Sequence, residues 1–503
     1  MNTQSVVADH SPQSAIRNPQ FGILPRPQSA IRNVVAGGLM VAIAFTALAL
    51  GTVEAWSVAI FELIIVVLIV LWAAKAIVDK RLEIRFPPAA LPLGAFALLA
   101  LIQSIAINRG SDRTNALSMD VEATRGALVV IFFLFVCLLI ASNFFRSVQQ
   151  LRGLANFLII FGLVLAVFAL IQHFTWEGRL FWFRPMAAAG AGTGGPFVNR
   201  NHFAGYMEML IPIPVALSMS RAVRGEARLF YAFGALMMGI AELASLSRGG
   251  LVSLAGGLVF LAVMSASRKR GESHSSIRSS IVFRPAVLIV AMAGAIIAGV
   301  VWVGADFDIV RRVANDPLTT GAMMDRRAVW GDTLKMVTAH PILGSGIGAF
   351  ETVYPIYGRG NGTFVIQFAH NDYIQVLADG GIVGGVLALW FIFVVFRDFA
   401  RGARSRDALP GALALGGAAG IFAILVHSLF DFNLQLPSNA LLLLVLVGIV
   451  ATTADRRPMT GDRGSLTKAD HPRSAVFGLP SSVLTVLPSA VDSLRSLFRS
   501  KNV

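Results

Sequence analysis

Twelve apolar stretches, each close to the length that crosses a lipid bilayer, constrain this chain more than any other feature. A spanning helix needs about 20 apolar residues, because only a helix satisfies its own backbone hydrogen bonds in hydrocarbon. The stretches cover residues 34–50, 55–78, 88–107, 126–142, 153–173, 203–219, 229–246, 249–266, 285–303, 381–396, 410–429 and 438–454. The sequence therefore predicts an all-α polytopic membrane protein with about 12 transmembrane helices.

The composition excludes the main alternatives. Of the 503 residues, 55% are hydrophobic and 14% are charged, whereas soluble domains carry about 25% charged residues. An ordinary cytosolic protein and a disordered chain are therefore excluded. A disulfide scaffold is excluded because Cys137 has no second cysteine to pair with. The weakest stretch is 203–219, where Pro212 and Pro214 lie inside the apolar run, and we expect it to be kinked or re-entrant.

The positions of the basic residues predict the orientation of the helices. With the N-terminus inside, 29 of the 42 Lys and Arg residues fall on the cytoplasmic side, as the positive-inside rule requires. We therefore expect both termini in the cytoplasm and interpret the net charge of +14 as a topology signal, with no nucleic-acid partner. No apolar signal-peptide segment precedes the first stretch. The predicted parts are a cytoplasmic tail (1–33), a transmembrane domain (34–454) with a large periplasmic loop (304–380), and a basic cytoplasmic tail (455–503).

The 13 basic residues on the outer side say more about function than the 29 on the cytoplasmic side do. Arginine outside opposes the topology rule, and an anionic ligand would explain it because the guanidinium group binds phosphate oxygens bidentately. The alternative is that large outer loops tolerate cations freely. Four of these residues are the candidate anion-binding arginines: Arg200, Arg248, Arg326 and Arg327.

The long loop 304–380 contains the candidate base. A connection of this length is unusual in a compact bundle and is typical of a functional segment. A helix is predicted to open at His370–Tyr373 and to lead into the next span. We expect His370 in its first turn and on the same face as Tyr373, where the helix dipole favours the neutral imidazole that can act as a base. The alternative role for His370 is a structural helix cap.

Five motifs follow one another in an order that resembles the O-antigen ligase/O-antigen polymerase family. A sixth motif near the end of the domain, His427–Phe432, also looks like that family. The resemblance covers about residues 34–454. The five motifs are Gly195–Gly205, Ser247–Gly250, Arg326–Trp330, His340–Gly346, and His370–Tyr373 together with Asp379–Gly381.

This resemblance implies a GT-C-like glycosyltransferase bundle in the bacterial inner membrane, with a periplasmic active site. Such an enzyme moves a glycan from undecaprenyl pyrophosphate to a sugar hydroxyl on lipid A–core or on a growing glycan, without a metal or cofactor. The resemblance implies that Arg248 and Arg326 bind the diphosphate and that His370 is the catalytic residue. Further candidates for substrate binding are Arg327, Arg200, Asn199, Asn201, His202 and Asp372.

Three functions remain open at this point. A ligase and a polymerase of lipid-linked repeat units for O-antigen or exopolysaccharide share their donor chemistry, and the sequence does not separate them. A transporter or flippase is less favoured, because transporters place ionisable residues near the bilayer midplane, often at paired broken helices. Here the candidate residues gather at the outer face, and the sequence shows no internal duplication.

Two smaller patterns also give expectations. His427 and Asp431 stand four residues apart, and we expect them to hydrogen-bond to each other. Asp306 and Asp308 have the spacing that metal-dependent glycosyltransferases use, but two residues beside a membrane exit are weak evidence, and no metal is expected.

Overall fold

The computed structural model describes residues 27–108, 114–185, 194–270, 326–358, 365–405, 407–455 and 474–478. Helices dominate these residues, and nine of the described helices are long and apolar enough to cross a membrane. This confirms an all-α polytopic membrane protein. The first nine helices are α1 (Pro27–Leu48), α2 (Ala55–Val78), α3 (Ala90–Ser104), α4 (Val121–Phe144), α5 (Val148–Phe174), α6 (Arg200–Leu210), α7 (Pro212–Met219), α8 (Glu226–Ala244) and α9 (Arg248–Arg270).

The second part of the described chain completes the bundle. It contains α10 (Arg326–Ala339), α11 (Phe350–Tyr357), α12 (Asp372–Gly402), α13 (Ala408–His427), a short 3-10 turn (Asn433–Gln435) and α14 (Pro437–Ala454). The described strands form three antiparallel pairs: β1 (Arg81–Arg85) with β6 (Ser474–Gly478), β2 (Ala106–Asn108) with β3 (Thr114–Ala116), and β4 (Arg179–Leu180) with β5 (Arg184–Pro185).

Eleven of the twelve predicted stretches coincide with these helices, and the stretch 285–303 lies outside the described residues. The stretch 203–219 is broken as expected: α6 ends at Leu210 and α7 begins at Pro212, because proline cannot supply the backbone N–H that continues a helix. Two boundaries differ. The first helix begins at Pro27, inside the predicted tail, and α3 spans only 15 residues because the chain turns into β2 after Ser104.

Helices α13 and α14 form the centre of the bundle, and most of their residues are buried. Glycines on α13 let α6 and α7 approach closely. A Cβ atom on Gly420 would lie 2.3 Å from the carbonyl oxygen of Met209, and one on Gly416 would lie 2.8 Å from the Cα of Ile213. Small residues allow membrane helices to pack backbone against backbone. This contact holds the end of α6 against α13.

Filling this contact is expected to destabilise the bundle. Gly420→Ala forces a methyl group against the backbone of Met209, and we expect a loss of about 1–3 kcal/mol, as for other overpacked cores. The matched control is Gly153→Ala in α5, where a Cβ meets nothing within 4 Å. The measurement is thermal unfolding of both purified variants in detergent. Equal melting temperatures for the two variants would contradict the packing argument.

A glycine-rich turn fixes α10 and α11 to the start of α12. Gly381 has a φ of 61° and bends α12 there, and a Cβ on it would lie 2.3 Å from the carbonyl oxygen of Ile342. Gln103 on α3 strengthens the same contact, because its Nε2 donates to the carbonyl oxygens of Leu343 (2.6 Å) and Asp379 (2.9 Å). The turn therefore positions the segments that begin at Arg326 and end at His370 relative to the bundle.

Candidate active site

Asp431, in the connection between α13 and α14, is the centre of the site. Its side chain is 1% exposed, and three other segments reach its carboxylate. Asn201 donates from Nδ2 to Oδ2 at 2.6 Å, Nδ1 of His370 lies 3.3 Å from Oδ1, and Nη2 of Arg326 lies 3.6 Å from Oδ2. Asp431 thus brings together residues that are 61 to 230 positions away along the chain.

This carboxylate is ionised, and its charge orients His370. Burial acts to raise the pKa of Asp431, but the hydrogen bond with His370 and the nearby His202 and Arg326 outweigh it and hold that pKa well below its usual range. The Nδ1–H group of His370 then points to the carboxylate. Among the described residues, Nε2 of His370 has no hydrogen-bond partner, and the side chain is 23% exposed. An imidazole held in this way can accept a proton at Nε2.

His370 lies just before α12 and not in its first turn, so the predicted position and the shared face with Tyr373 are wrong. The helix begins at Asp372, with Asn371 as its N-cap. His370 has a φ of 53°, a left-handed conformation that is strained for a residue with a Cβ. The ring packs edge-on against Phe432, with 4.8 Å between ring centroids. The sequence pattern did not reveal this turn because the polar run 370–372 is compatible with either a cap or a first turn.

Arg326, the first residue of α10, belongs to the site by two contacts. Besides its contact with Asp431, it donates from Nη1 to the carbonyl oxygen of Phe430 at 2.6 Å. Arg327 follows it on the same helix, and both side chains are exposed.

Arg200 and Arg248 form a second cationic part of the site. Each is the first residue of its helix, α6 or α9, and the two helices touch at their first turns, where a Cβ on Gly250 would lie 2.6 Å from the Cβ of Ala204. Partial removal from water and the charge of Arg248 both lower the pKa of Arg200. Both side chains are exposed, and within the described residues neither makes a hydrogen bond or ion pair. Two adjacent helix N-termini carrying two arginines favour the binding of an anion.

Three other candidates lie at the start of α6. Asn199 is its N-cap and accepts a hydrogen bond from the backbone N–H of Asn201 at 2.9 Å. His202 is 5% exposed and packs edge-on against Phe432 at 4.8 Å, on the same ring that His370 contacts. The cap and the packing hold the start of α6 so that Asn201 reaches Asp431.

Asp372 is not brought into the open part of the site. Its buried carboxylate accepts hydrogen bonds from the hydroxyl of Ser428 (2.8 Å), the backbone N–H of Leu434 (3.3 Å) and the side chain of Gln435 (3.4 Å). Both of its oxygens are therefore used within the protein, where they tie α12 to the connection that carries Asp431.

The expected hydrogen bond between the side chains of His427 and Asp431 is wrong. Nδ1 of His427 lies 3.0 Å from Oε2 of Glu208, and the two side chains are 1% and 0% exposed. The break in α6–α7 and the glycines of α13 bring Glu208 there, which the spacing along one helix could not indicate. The available signal was an acidic residue inside an apolar stretch, because such a residue is expensive in a membrane and usually has a function.

These features define a multi-pass α-helical membrane protein with a cationic and imidazole-containing site at one end of its helices. Residues 233–389 match the family model described as O-antigen ligase, and this match supports the resemblance of the chain to the O-antigen ligase/polymerase family. That family implies a glycosyltransferase-like enzyme acting on lipid-linked glycans. No curated protein matches the chain. The matched segment contains Arg248, Arg326 and His370 but ends before Asp431.

Proposed function

We propose that this protein transfers a glycan from undecaprenyl pyrophosphate to a sugar hydroxyl at the periplasmic face of the inner membrane, as an O-antigen ligase with lipid A–core as acceptor. The observation that carries the proposal is the position of Arg200 and Arg248 next to the His370–Asp431 pair. Asn201, which follows Arg200, donates to Asp431, and Gly249, which follows Arg248, packs against Phe430. Neither arginine has a hydrogen bond or ion pair among the described residues. The two arginines are suited to binding a diphosphate, and the His370–Asp431 pair is suited to removing a proton from the acceptor.

The arginines would stabilise the leaving group. When the bond between the anomeric carbon and the diphosphate oxygen breaks, both electrons stay on that oxygen and its negative charge increases. Fixed cations aimed at this charge contribute several kcal/mol to the rate. Arg200 and Arg248 supply these cations together with the N-termini of α6 and α9. No metal is needed in this scheme.

His370 would activate the acceptor. The sugar hydroxyl attacks the anomeric carbon, the new C–O bond forms, and the hydroxyl proton passes to Nε2 of His370. Asp431 stabilises the imidazolium that results, since its carboxylate lies 3.3 Å from Nδ1. Attack opposite the leaving group inverts the anomeric centre, so the linkage in the product should differ in configuration from that in the donor.

The charge distribution supports the periplasmic side. The 29 basic residues of the cytoplasmic segments orient the bundle so that the starts of α6, α9 and α12 face outward. Gaps between helices would admit the polyprenyl chain from the bilayer. Both termini and the basic tail 455–503 then lie in the cytoplasm.

The test is transfer by the purified protein. Lipid-linked glycan is incubated in parallel with lipid A–core and with a second lipid-linked glycan, and products are identified by mass. A conjugate on lipid A–core supports the ligase. Longer lipid-linked chains support the polymerase, for which the same site chemistry would serve. Movement of intact lipid across the membrane without cleavage of the diphosphate bond would contradict both.

Lysine at Arg248 is expected to impair transfer about 10-fold or more. An ammonium group keeps the charge but cannot form two parallel hydrogen bonds to a phosphate. The measurement is the initial rate of transfer at limiting donor. Arg184→Lys is the matched control, because Arg184 lies in the β4–β5 hairpin and pairs with Glu54 at 2.5 Å. A fully active Arg248→Lys variant would show that transfer does not need bidentate binding of phosphate by Arg248.

A further inference from the structure

The buried pair of Glu208 and His427 is not used by the mechanism above. Both side chains are inside the bundle, with 3.0 Å between Oε2 of Glu208 and Nδ1 of His427. A buried carboxylate needs a compensating charge, and the imidazole supplies it when protonated. Glu208 is thereby in a position to keep a positive charge on His427, with the Nδ1–H group donating to the carboxylate.

The other edge of His427 faces the cationic part of the site. A Cβ on Gly249 would lie 3.0 Å from Nε2 of His427 and 3.5 Å from the Cβ of Phe430, so only glycine lets the ring approach α9 this closely. Gly249 directly follows Arg248. Among the described residues, Nε2 makes no hydrogen bond.

We infer that His427 is a third diphosphate-binding group, which Glu208 charges and orients and which donates from Nε2 to a phosphate oxygen beside Arg248. This rests on the proposed function, because it assumes a diphosphate at Arg200 and Arg248. The additional donor distinguishes a diphosphate from a monophosphate, since the second phosphate group needs its own hydrogen-bond donors.

The inference is tested by binding of farnesyl diphosphate and farnesyl monophosphate to the full-length protein in nanodiscs. Glu208→Gln keeps an acceptor for Nδ1–H but removes the charge, and His427→Gln keeps a neutral donor near the position of Nε2. We expect both variants to bind farnesyl diphosphate about 10-fold more weakly, as for the loss of a charged hydrogen bond, with farnesyl monophosphate unchanged. The KM for donor should rise by the same factor, with kcat changed little.

Glu242→Gln is the matched control. Glu242 is a second fully buried glutamate near Glu208, and within the described part of the chain its carboxyl oxygens have no hydrogen-bond partner. We expect this variant to bind as the wild type does. Equal binding of farnesyl diphosphate by Glu208→Gln, His427→Gln and wild type would overturn the inference.

A variant outside the buried pair covers the case in which the two glutamine variants fail to fold. Gly249→Ala places a methyl group against Nε2 of His427, and it should weaken diphosphate binding, whereas Gly239→Ala in α8 meets nothing within 4 Å. Unchanged binding by Gly249→Ala would also refute the role of His427. If the wild type neither binds farnesyl diphosphate nor transfers glycan, the proposed function itself fails; if it does both and these variants match it, only this inference fails.

Discussion

Alanine at position 370 is expected to abolish glycan transfer while the protein still inserts and folds. The imidazole is the group in the described site that combines partial exposure, a free Nε2 and a carboxylate on Nδ1. A positioned base contributes about 10²–10⁴-fold to such a reaction, so the rate of transfer should be lower than that of the wild type by this factor. The measurement is the single-turnover rate with saturating donor, which separates the chemical step from donor binding.

His340→Ala is the control for this experiment. His340 belongs to the same loop, but its Nε2 lies 3.2 Å from the hydroxyl of Tyr357, which ties α10 to α11. We expect His340→Ala to retain most of its activity. Normal turnover by His370→Ala, in protein with a wild-type melting temperature, would show that another group takes the proton.

Asparagine at position 431 should produce the second large effect, a loss of at least 10²-fold in transfer with a modest loss of stability. The new amide cannot accept from Asn201, His370 and Arg326 together, so a buried donor is left unpaired at a cost of about 1–3 kcal/mol. The imidazolium of His370 also loses its counter-charge. Transfer rate and melting temperature are measured in the same detergent.

The control is Asp398→Asn. Asp398 is 3% exposed and pairs with Arg397 and Arg401 near the C-terminal end of α12, so it tests the loss of a buried acid away from the site. We expect Asp398→Asn to lower stability without a comparable loss of transfer. If the two variants lose activity in proportion to stability alone, Asp431 has only a structural role.

The lowered pKa of Asp431 predicts how its contribution to stability depends on pH. Its folded-state pKa is held below the unfolded value, so its stabilising contribution is fully present above about pH 4 and is lost only as the pH falls through the folded-state pKa. The difference in unfolding free energy between wild type and Asp431→Asn should therefore stay constant from pH 5 to pH 8. A difference that disappears between pH 7 and pH 5 would contradict an ionised Asp431.

Most of the helices could be predicted because each apolar stretch carries its own signal. Hydrocarbon favours a helix wherever about 20 apolar residues occur together, independently of the rest of the chain. The boundaries were less predictable: α1 extends back to Pro27 through polar residues, and α3 stops at Ser104. These ends depend on contacts outside the stretch, which hydropathy does not describe.

The candidate site residues could also be predicted only in part. Arg248, Arg326 and His370 belong to short motifs, and the structure brings them to one region; their roles in binding and catalysis remain proposals. Asp372 also belongs to a motif, but its carboxylate is used inside the protein. A motif identifies residues that matter together without indicating which of them face the ligand.

By itself, the sequence determined the class of protein, and it predicts which ends of the helices face the cytoplasm, since hydropathy and charge act locally on each segment. Only the tertiary structure decided the partners: Asp431 for His370, and Glu208 for His427. Those pairs join residues 61 and 219 positions apart, and the second pair lies where glycines permit close contacts, Gly420 with Met209 and Gly249 with His427. Such close approaches arise from packing between helices, and no single segment of the sequence predicts that packing.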